Sequence, residues 1–295
     1  MLKRILRKII SSVLVTAMLV IPIVNAMGIE AFAQNSGTSG SDYGDYGGTI
    51  YYVDSVNGND ENNGTSENSA WRTLDKVNQK VYQPGDQILF KSGGVWSGRL
   101  MPNGSGEDGK PIIIGKYGGD ARPILNGSSN VLDGSEEGST VLLYNQEYWE
   151  IHDLEITNKS SSSNALCLGI WVINRDFGTA SHFVISGCYI HSLTHNIRKE
   201  NLLAMKANGG IIDTFTTETG PRGAIQFSVL IGGEKIPSKF DNVRVVNNEV
   251  ANVNNKGFSM SSDWSDHQAS GYKDDKLEQL YFSTNIYIGR EVKLL

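Results

Sequence analysis

The sequence predicts an all-β chain wound as a solenoid. Three observations predict it. The 295 residues include 33 Gly and only 7 Pro, and the chain is also rich in Asn, which favours tight turns and residues with positive φ. Helix signals nearly vanish after Gly85. Finally, one pattern of apolar residues recurs along the chain without hairpin turns between its copies.

The copies align residue by residue. Trp149, Ile151, Leu154 and Ile156 match Phe183, Ile185, Cys188 and Ile190, and then Val243, Val245, Asn248 and Val250. Ile286 and Ile288 begin a fourth. Each copy reads as a period-2 strand, a two-residue bend and a second period-2 strand. A hairpin sandwich would carry Asn-Gly turns between the runs, and these are scarce after residue 130. A solenoid suits the pattern better, because each coil buries its apolar positions against the coils above and below. The unequal spacings require loops of varying size between coils.

The elements follow in order. Lys3, Arg4, Arg7 and Lys8 precede an apolar run over 9–24, with small-residue cleavage sites at Val24-Asn25-Ala26 and Ala31-Phe32-Ala33. Residues 1–33 therefore read as a secretory signal peptide, and the chain as secreted to the extracellular space, with no membrane contact after its removal. Residues 34–48, rich in Gly, Ser, Asp and Tyr, read as a flexible linker. The folded domain is expected over 49–295. It opens with a strand at 49–53 and a short helix begun by the N-cap Thr73 and ended before Pro84. Short strands are expected over 87–90, 95–100, 111–117 and 141–143.

The formal net charge is −6, and loss of four basic residues and one acidic residue with the signal peptide makes the mature chain more acidic. Nucleic acid is excluded as a partner on that balance. Cys167 and Cys188 are the only candidates for a disulfide, and their geometry decides whether they pair. Because Cys188 shares its slot with Leu154 and Asn248, it reads as a small buried core residue. Asn247 and Asn248 at a bend, and Asn254 and Asn255 at the next turn, could hydrogen-bond along the stack or serve as plain loop residues.

The chain resembles secreted bacterial right-handed parallel β-helix proteins that act on plant or microbial polysaccharides. The residues carrying the resemblance are Tyr51-Tyr52-Val53-Asp54 with Asn57-Gly58-Asn59-Asp60 and Asn63-Gly64-Thr65. Ala70-Trp71-Arg72-Thr73-Leu74 and Pro84-Gly85-Asp86-Gln87-Ile88-Leu89-Phe90 belong to it too. Residues 148–158, 183–196 and 240–260 are similar to glycoside hydrolases of family 141, which include xylan- and fucoside-cleaving members. The resemblance implies a right-handed parallel β-helix, a pectate-lyase-like solenoid with a short N-terminal capping helix. It also implies a polysaccharide substrate. Such relatives continue for several more coils, with their acidic pair in later coils. The chain ends at Leu295 within an apparent strand, so a truncated β-helix is expected.

Glycoside hydrolysis needs two carboxylates, one protonated and one ionised. Asp263 and Asp266 flank Trp264 and precede His267, and a Trp beside carboxylates suits a sugar site. Asp263 and Asp266 are thus the candidate catalytic pair, with Trp264 and His267 as substrate-binding residues. His191 and His195 are four apart at a strand end; turn histidines or substrate contacts fit them better than a metal site. His152, Asp153 and Glu155 are expected to point outward into solvent. Asp54, Asn57, Asn59 and Asp60 share the composition of a Ca²⁺ loop without its frame, so neither metal nor cofactor is expected. A polysaccharide lyase, which would want a carboxylate cluster holding Ca²⁺ and a basic Lys or Arg, is the first alternative. A non-catalytic glycan-binding surface protein is the second.

Overall fold

A computed structural model describes residues 42–127, 138–161, 165–195, 223–253, 256–263 and 286–289. Three parallel sheets run along the stack. Sheet 1 holds β1 (Ile50–Val53), β2 (Gln87–Lys91), β4 (Ile112–Tyr117), β7 (Trp149–His152), β10 (Thr179–Ser186), β13 (Lys239–Val246) and β16 (Ile286–Gly289), in that order. Sheet 2 holds β3 (Val95–Ser97), β5 (Ile124–Asn126), β8 (Glu155–Asn158), β11 (Tyr189–Leu193) and β14 (Glu249–Val253). Sheet 3 holds β6 (Ser139–Tyr144), β9 (Leu168–Arg175), β12 (Gly223–Leu230) and β15 (Lys256–Ser262). Every strand in these ladders pairs parallel with its counterpart one coil away. One coil is β7, β8 and β9; the next is β10, β11 and β12. This is a right-handed parallel β-helix, the hand that parallel crossovers take almost without exception.

The sequence repeat is the register of sheet 1. Phe183 pairs with Trp149 and with Val243, and Val243 pairs with Ile286. Ile185 stands between Ile151 and Val245. On sheet 2, Ile190 stands between Ile156 and Val250. Trp149, Ile151, Ile156, Phe183, Ile185, Ile190, Val243 and Val245 point into the coil and form one core cluster with Ile170, Val172, Ile225 and Phe227 of sheet 3, and Val250 packs against it. Phe227 meets Phe183 and Phe240 edge to face, with centroids 5.7 and 5.2 Å away, an arrangement aromatic quadrupoles favour.

The two-residue bend between sheets 1 and 2 has a backbone reason. Its second residue is Asp153, Gly187 or Asn247, at φ 56°, 68° and 56°. Asp, Asn and Gly are the residue types that take the left-handed region most cheaply. The following slot points inward: Leu154 and Cys188 are fully buried. Asn248 occupies it in the third copy and turns its amide to the preceding coil. Its Oδ1 accepts from the Cys188 N–H at 2.9 Å, and its Nδ2 donates to the Ile185 carbonyl at 2.8 Å. Asn254 and Asn255 lie outside the described residues. Cys167 and Cys188 are both free and buried, and burial pushes their thiols up to about 11 and about 12.

The N-terminal end is closed by α1 (Leu74–Asn78), whose Leu74 and Val77 join the core. Thr73 Oγ1 accepts from the Lys76 N–H at 3.2 Å, as an N-cap does. Asp60 steadies this start by accepting from the Arg72 and Thr73 N–H groups and the Thr73 hydroxyl. Burial raises the Asp60 carboxyl, but these hydrogen bonds outweigh it and hold the group below its usual range. Asp54 is similar, accepting from the Val56 and Asn57 N–H groups and the Asn57 amide. Both carboxylates are thus engaged in shaping turns.

Three sequence readings change here. Residues 34–48 are expected to be a flexible linker, yet Tyr43 and Gly44 dock on the outside of sheet 1. The Tyr43 hydroxyl donates to Asp153 Oδ2 at 3.0 Å and accepts from the Lys116 N–H at 3.1 Å. Gly115 leaves the room, since a Cβ there would come within 2.3 Å of the Tyr43 ring. The strand expected over 95–100 closes early, at Ser97, where Gly98 follows at φ 123°. His152 is not solvated but 9% exposed, with Tyr43 stacked on its ring at 5.1 Å. Residues 1–33, where a signal peptide is expected from the sequence, lie outside the described residues. No helix among the described residues is long and apolar enough to cross a membrane.

Candidate functional site

Side chains that do not enter the core stand on the outer faces of the three sheets, and each face has a distinct character. Sheet 3 is covered: Leu142, Leu166, Leu168, Trp171, Ile173 and Leu230 form a second buried cluster on its outside. The Trp171 indole donates to Ser228 Oγ at 2.9 Å within it.

The outer face of sheet 1 carries a buried charge. Glu150 is 7% exposed and lies between two imidazoles. Its Oε2 is 2.9 Å from His152 Nε2, and its Oε1 is 2.7 Å from His182 Nε2. Asn242 Nδ2 stands 3.2 Å from His182 Nδ1, so His182 with its proton on Nε2 satisfies both contacts. Burial works to raise the Glu150 carboxyl, but the two histidines prevail and lower it to about 2. Such a group cannot serve as a general acid near neutral pH, and both oxygens are taken. Its chemistry is that of an anchor that orients two rings. Tyr148, His182 and Asn242 occupy one position in successive coils, all with positive φ, and the Tyr148 ring stacks on His182 at 5.9 Å.

Sheet 2 presents its outer face to solvent. The register aligns Glu155, Tyr189 and Glu249 in one row across three coils. The row beside it is Thr157, His191 and Ala251. His191 Nε2 contacts Glu155 Oε1 at 3.0 Å, and its Nδ1 contacts Ser192 Oγ at 2.9 Å. The Tyr189 ring stacks on His191 with centroids 4.3 Å apart. Glu155 thus points outward as expected, and Glu249 is exposed.

The residues singled out in the sequence are distributed as follows. His191 is on this open face. His195 lies beyond the end of β11, in an isolated antiparallel bridge with Leu166, so the two histidines belong to different settings. Asp263 follows β15 directly, and its Oδ2 accepts from the Ile231 N–H at 3.3 Å. Trp264, Asp266 and His267 lie outside the described residues. Among the described residues no group of three His, Cys, Asp or Glu side chains is placed to hold a metal ion. Tyr189, Glu249 and the Glu150 pair with His182 were missed by sequence reasoning. The repeat alignment contained the signal for the first two, because each directly follows a slot residue, as Glu155 does.

Comparison with known proteins now bears on this geometry. No protein-family model matches the chain. The crystal structure of the native GH136 lacto-N-biosidase from Eubacterium ramulus superposes with a TM-score of 0.63 at 27% identity, covering 81% of this chain and 40% of that one. The chain is similar to lacto-N-biosidases. The selenomethionine derivative of the same enzyme gives a TM-score of 0.62 at 26% identity, over 82% of this chain and 42% of that one. A curated lacto-N-biosidase from Bifidobacterium longum subsp. longum is 27% identical over a gapped alignment of 328 positions that covers 92% of this chain and 20% of that protein. The chain therefore spans about a fifth of the curated relative and about two-fifths of the solved ones. These matches support likeness to a glycoside hydrolase on a pectate-lyase-like fold. None of them names a family 141 protein, xylan or a fucoside.

Proposed function

We propose that the chain belongs to a secreted glycoside hydrolase of the lacto-N-biosidase kind, acting on glycans that carry a lacto-N-biose unit. One observation carries this reading: identity of 26–27% to solved lacto-N-biosidases, sustained over more than four-fifths of the chain with a common coil geometry. It replaces xylan and fucosides as the substrate class, which rested on resemblance alone. Asp263 is the proposed carboxylate on the described part of the chain. It follows a sheet 3 strand directly, with Asp266 as its partner and Trp264 and His267 to grip the sugar. The basic, apolar and small-residue order of residues 1–33 supports export.

The test is release of the chromophore from an aryl lacto-N-bioside by the purified chain, beside xylan and aryl fucosides. Cleavage of the lacto-N-bioside alone is expected, and Asp263→Asn should slow it by about 100-fold or more. Cleavage of xylan or fucosides in its place, or of none, overturns the reading.

A further inference from the structure

We infer that the outer face of sheet 2 is a binding surface for a neutral oligosaccharide, centred on Tyr189 and His191. The inference rests on the proposed glycan-hydrolysing role, and adds to it a place on the molecule where the neutral sugar is held.

The first ground is exclusion by cover. The outside of sheet 3 is a buried apolar cluster, and that of sheet 1 holds the Glu150 anchor and the docked Tyr43. Sheet 2 stays open over five successive strands. Val95 at its N-terminal end is 53% exposed, Ser97 and Glu249 are exposed, and Ile124, Asn126, Glu155, Thr157, Tyr189, His191 and Ala251 are half-buried.

The second ground is shape. In the row containing His191, the neighbours are Ser97, Asn126, Thr157 and Ala251, all short. The stacked rings of Tyr189 and His191 therefore stand above a low floor of small polar groups, as a wall beside a shallow trough. His191 is held upright from both ring nitrogens, by Glu155 and by Ser192. A ring fixed in advance loses little freedom when it binds.

The third ground is chemistry. Glu155 and Glu249 flank Tyr189 one rung to either side, so they stand roughly 10 Å apart at strand spacing. Carboxylates accept from sugar hydroxyls, and a half-exposed tyrosine ring offers its face to sugar C–H groups. The outward side chains of these rows include no Lys or Arg to pair with a uronate, and the carboxylates of Glu155 and Glu249 repel a polyanion along them. That selects a neutral glycan.

Calorimetric titration of the full chain with lacto-N-biose tests the site, with an oligogalacturonate as the anionic probe. Lacto-N-biose should bind and the oligogalacturonate should not. Tyr189→Ala should weaken binding by about three- to tenfold, Tyr189→Trp should retain it, and Glu249→Gln should weaken it by about two- to threefold. The melting temperature of each variant is read in parallel. Should Tyr189→Ala fail to fold, Tyr189→Trp and Glu249→Gln carry the test. Variants that bind like the parent, while the parent still cleaves an aryl lacto-N-bioside, overturn this site and leave the functional reading standing. A parent that neither binds nor cleaves overturns both. Equal binding of the oligogalacturonate overturns the neutral class.

Discussion

Glu150 keeps a negative charge with 7% of its surface exposed because His152 and His182 each give it a hydrogen bond. The consequence is a dependence of stability on pH. The carboxyl titrates near its ordinary value of 4.5 in the unfolded chain and at about 2 in the folded one. Its contribution is therefore fully present above about pH 4.5 and is lost as pH falls towards 2. The ceiling on that contribution is about 3 kcal/mol, since one pKa unit corresponds to about 1.4 kcal/mol. Glu150→Gln should lower stability at pH 7 by an amount of this order or less. It should also flatten the fall in melting temperature between pH 4.5 and 2.5, followed by circular dichroism. An unchanged slope would show that Glu150 is not the group responsible. The residue that looks most like an active-site carboxylate by burial is thus an anchor, while the half-exposed Glu155 and the exposed Glu249 stand on the face open to a ligand.

At the scale of the element, a bend is stabilised from the coil that follows it. Asn248 replaces Leu154 and Cys188 in the inward slot, and its amide satisfies the Cys188 N–H and the Ile185 carbonyl. Asn248→Leu restores the apolar pattern of the first repeat but removes both bonds. A cost of about 1–3 kcal/mol is expected, with loss of hydrogen-exchange protection at the Cys188 amide. Retained protection would show that the bend does not depend on the Asn248 amide. This bend also shows what could be read in the sequence. Trp149, Phe183 and Val243 are alike because inward residues of stacked strands face the same core, so the register was visible as a repeat. The bend was visible as a two-residue corner, whereas its left-handed second residue, Asp153, Gly187 or Asn247, emerged only from the backbone angles. The contact of Glu150 with His182 was not, since it runs diagonally between coils on a face with no common apolar demand. Tyr43 on Gly115 was hidden for a related reason: low-complexity sequence around Tyr43 gives no periodic signal, and only the missing Cβ at Gly115 marks its seat. For the site, His191 was legible as a strand-end histidine, whereas the role of Tyr189 depends on ring orientation, which spacing does not encode.

Across the whole molecule, the coils hold together chiefly through contacts between neighbours, so stability is close to a sum of coil terms and interface terms. Phe227 is a junction in that sum. It is fully buried and touches Phe183 and Phe240 of sheet 1 and Phe258 of the following coil. Truncation to alanine removes the ring that joins sheets 1 and 3 across the coil interior, at a cost of about 3–5 kcal/mol. In a fold with one central core such a loss lowers a single melting transition. In a solenoid it weakens one segment selectively. Phe227→Ala should therefore broaden or split the calorimetric transition. Amides of β10 to β15 should exchange early, while those of β1 to β8, which rest on α1 and on the Trp149 layer, keep their protection. The proposed sugar surface straddles this divide, since Glu155 lies on β8 and Tyr189 and Glu249 on the coils beyond it. The same variant should consequently bind lacto-N-biose more weakly at temperatures where β1 to β8 remain folded. A uniform loss of protection along the chain would show that the helix melts as one unit, and that the site draws on all of its coils alike.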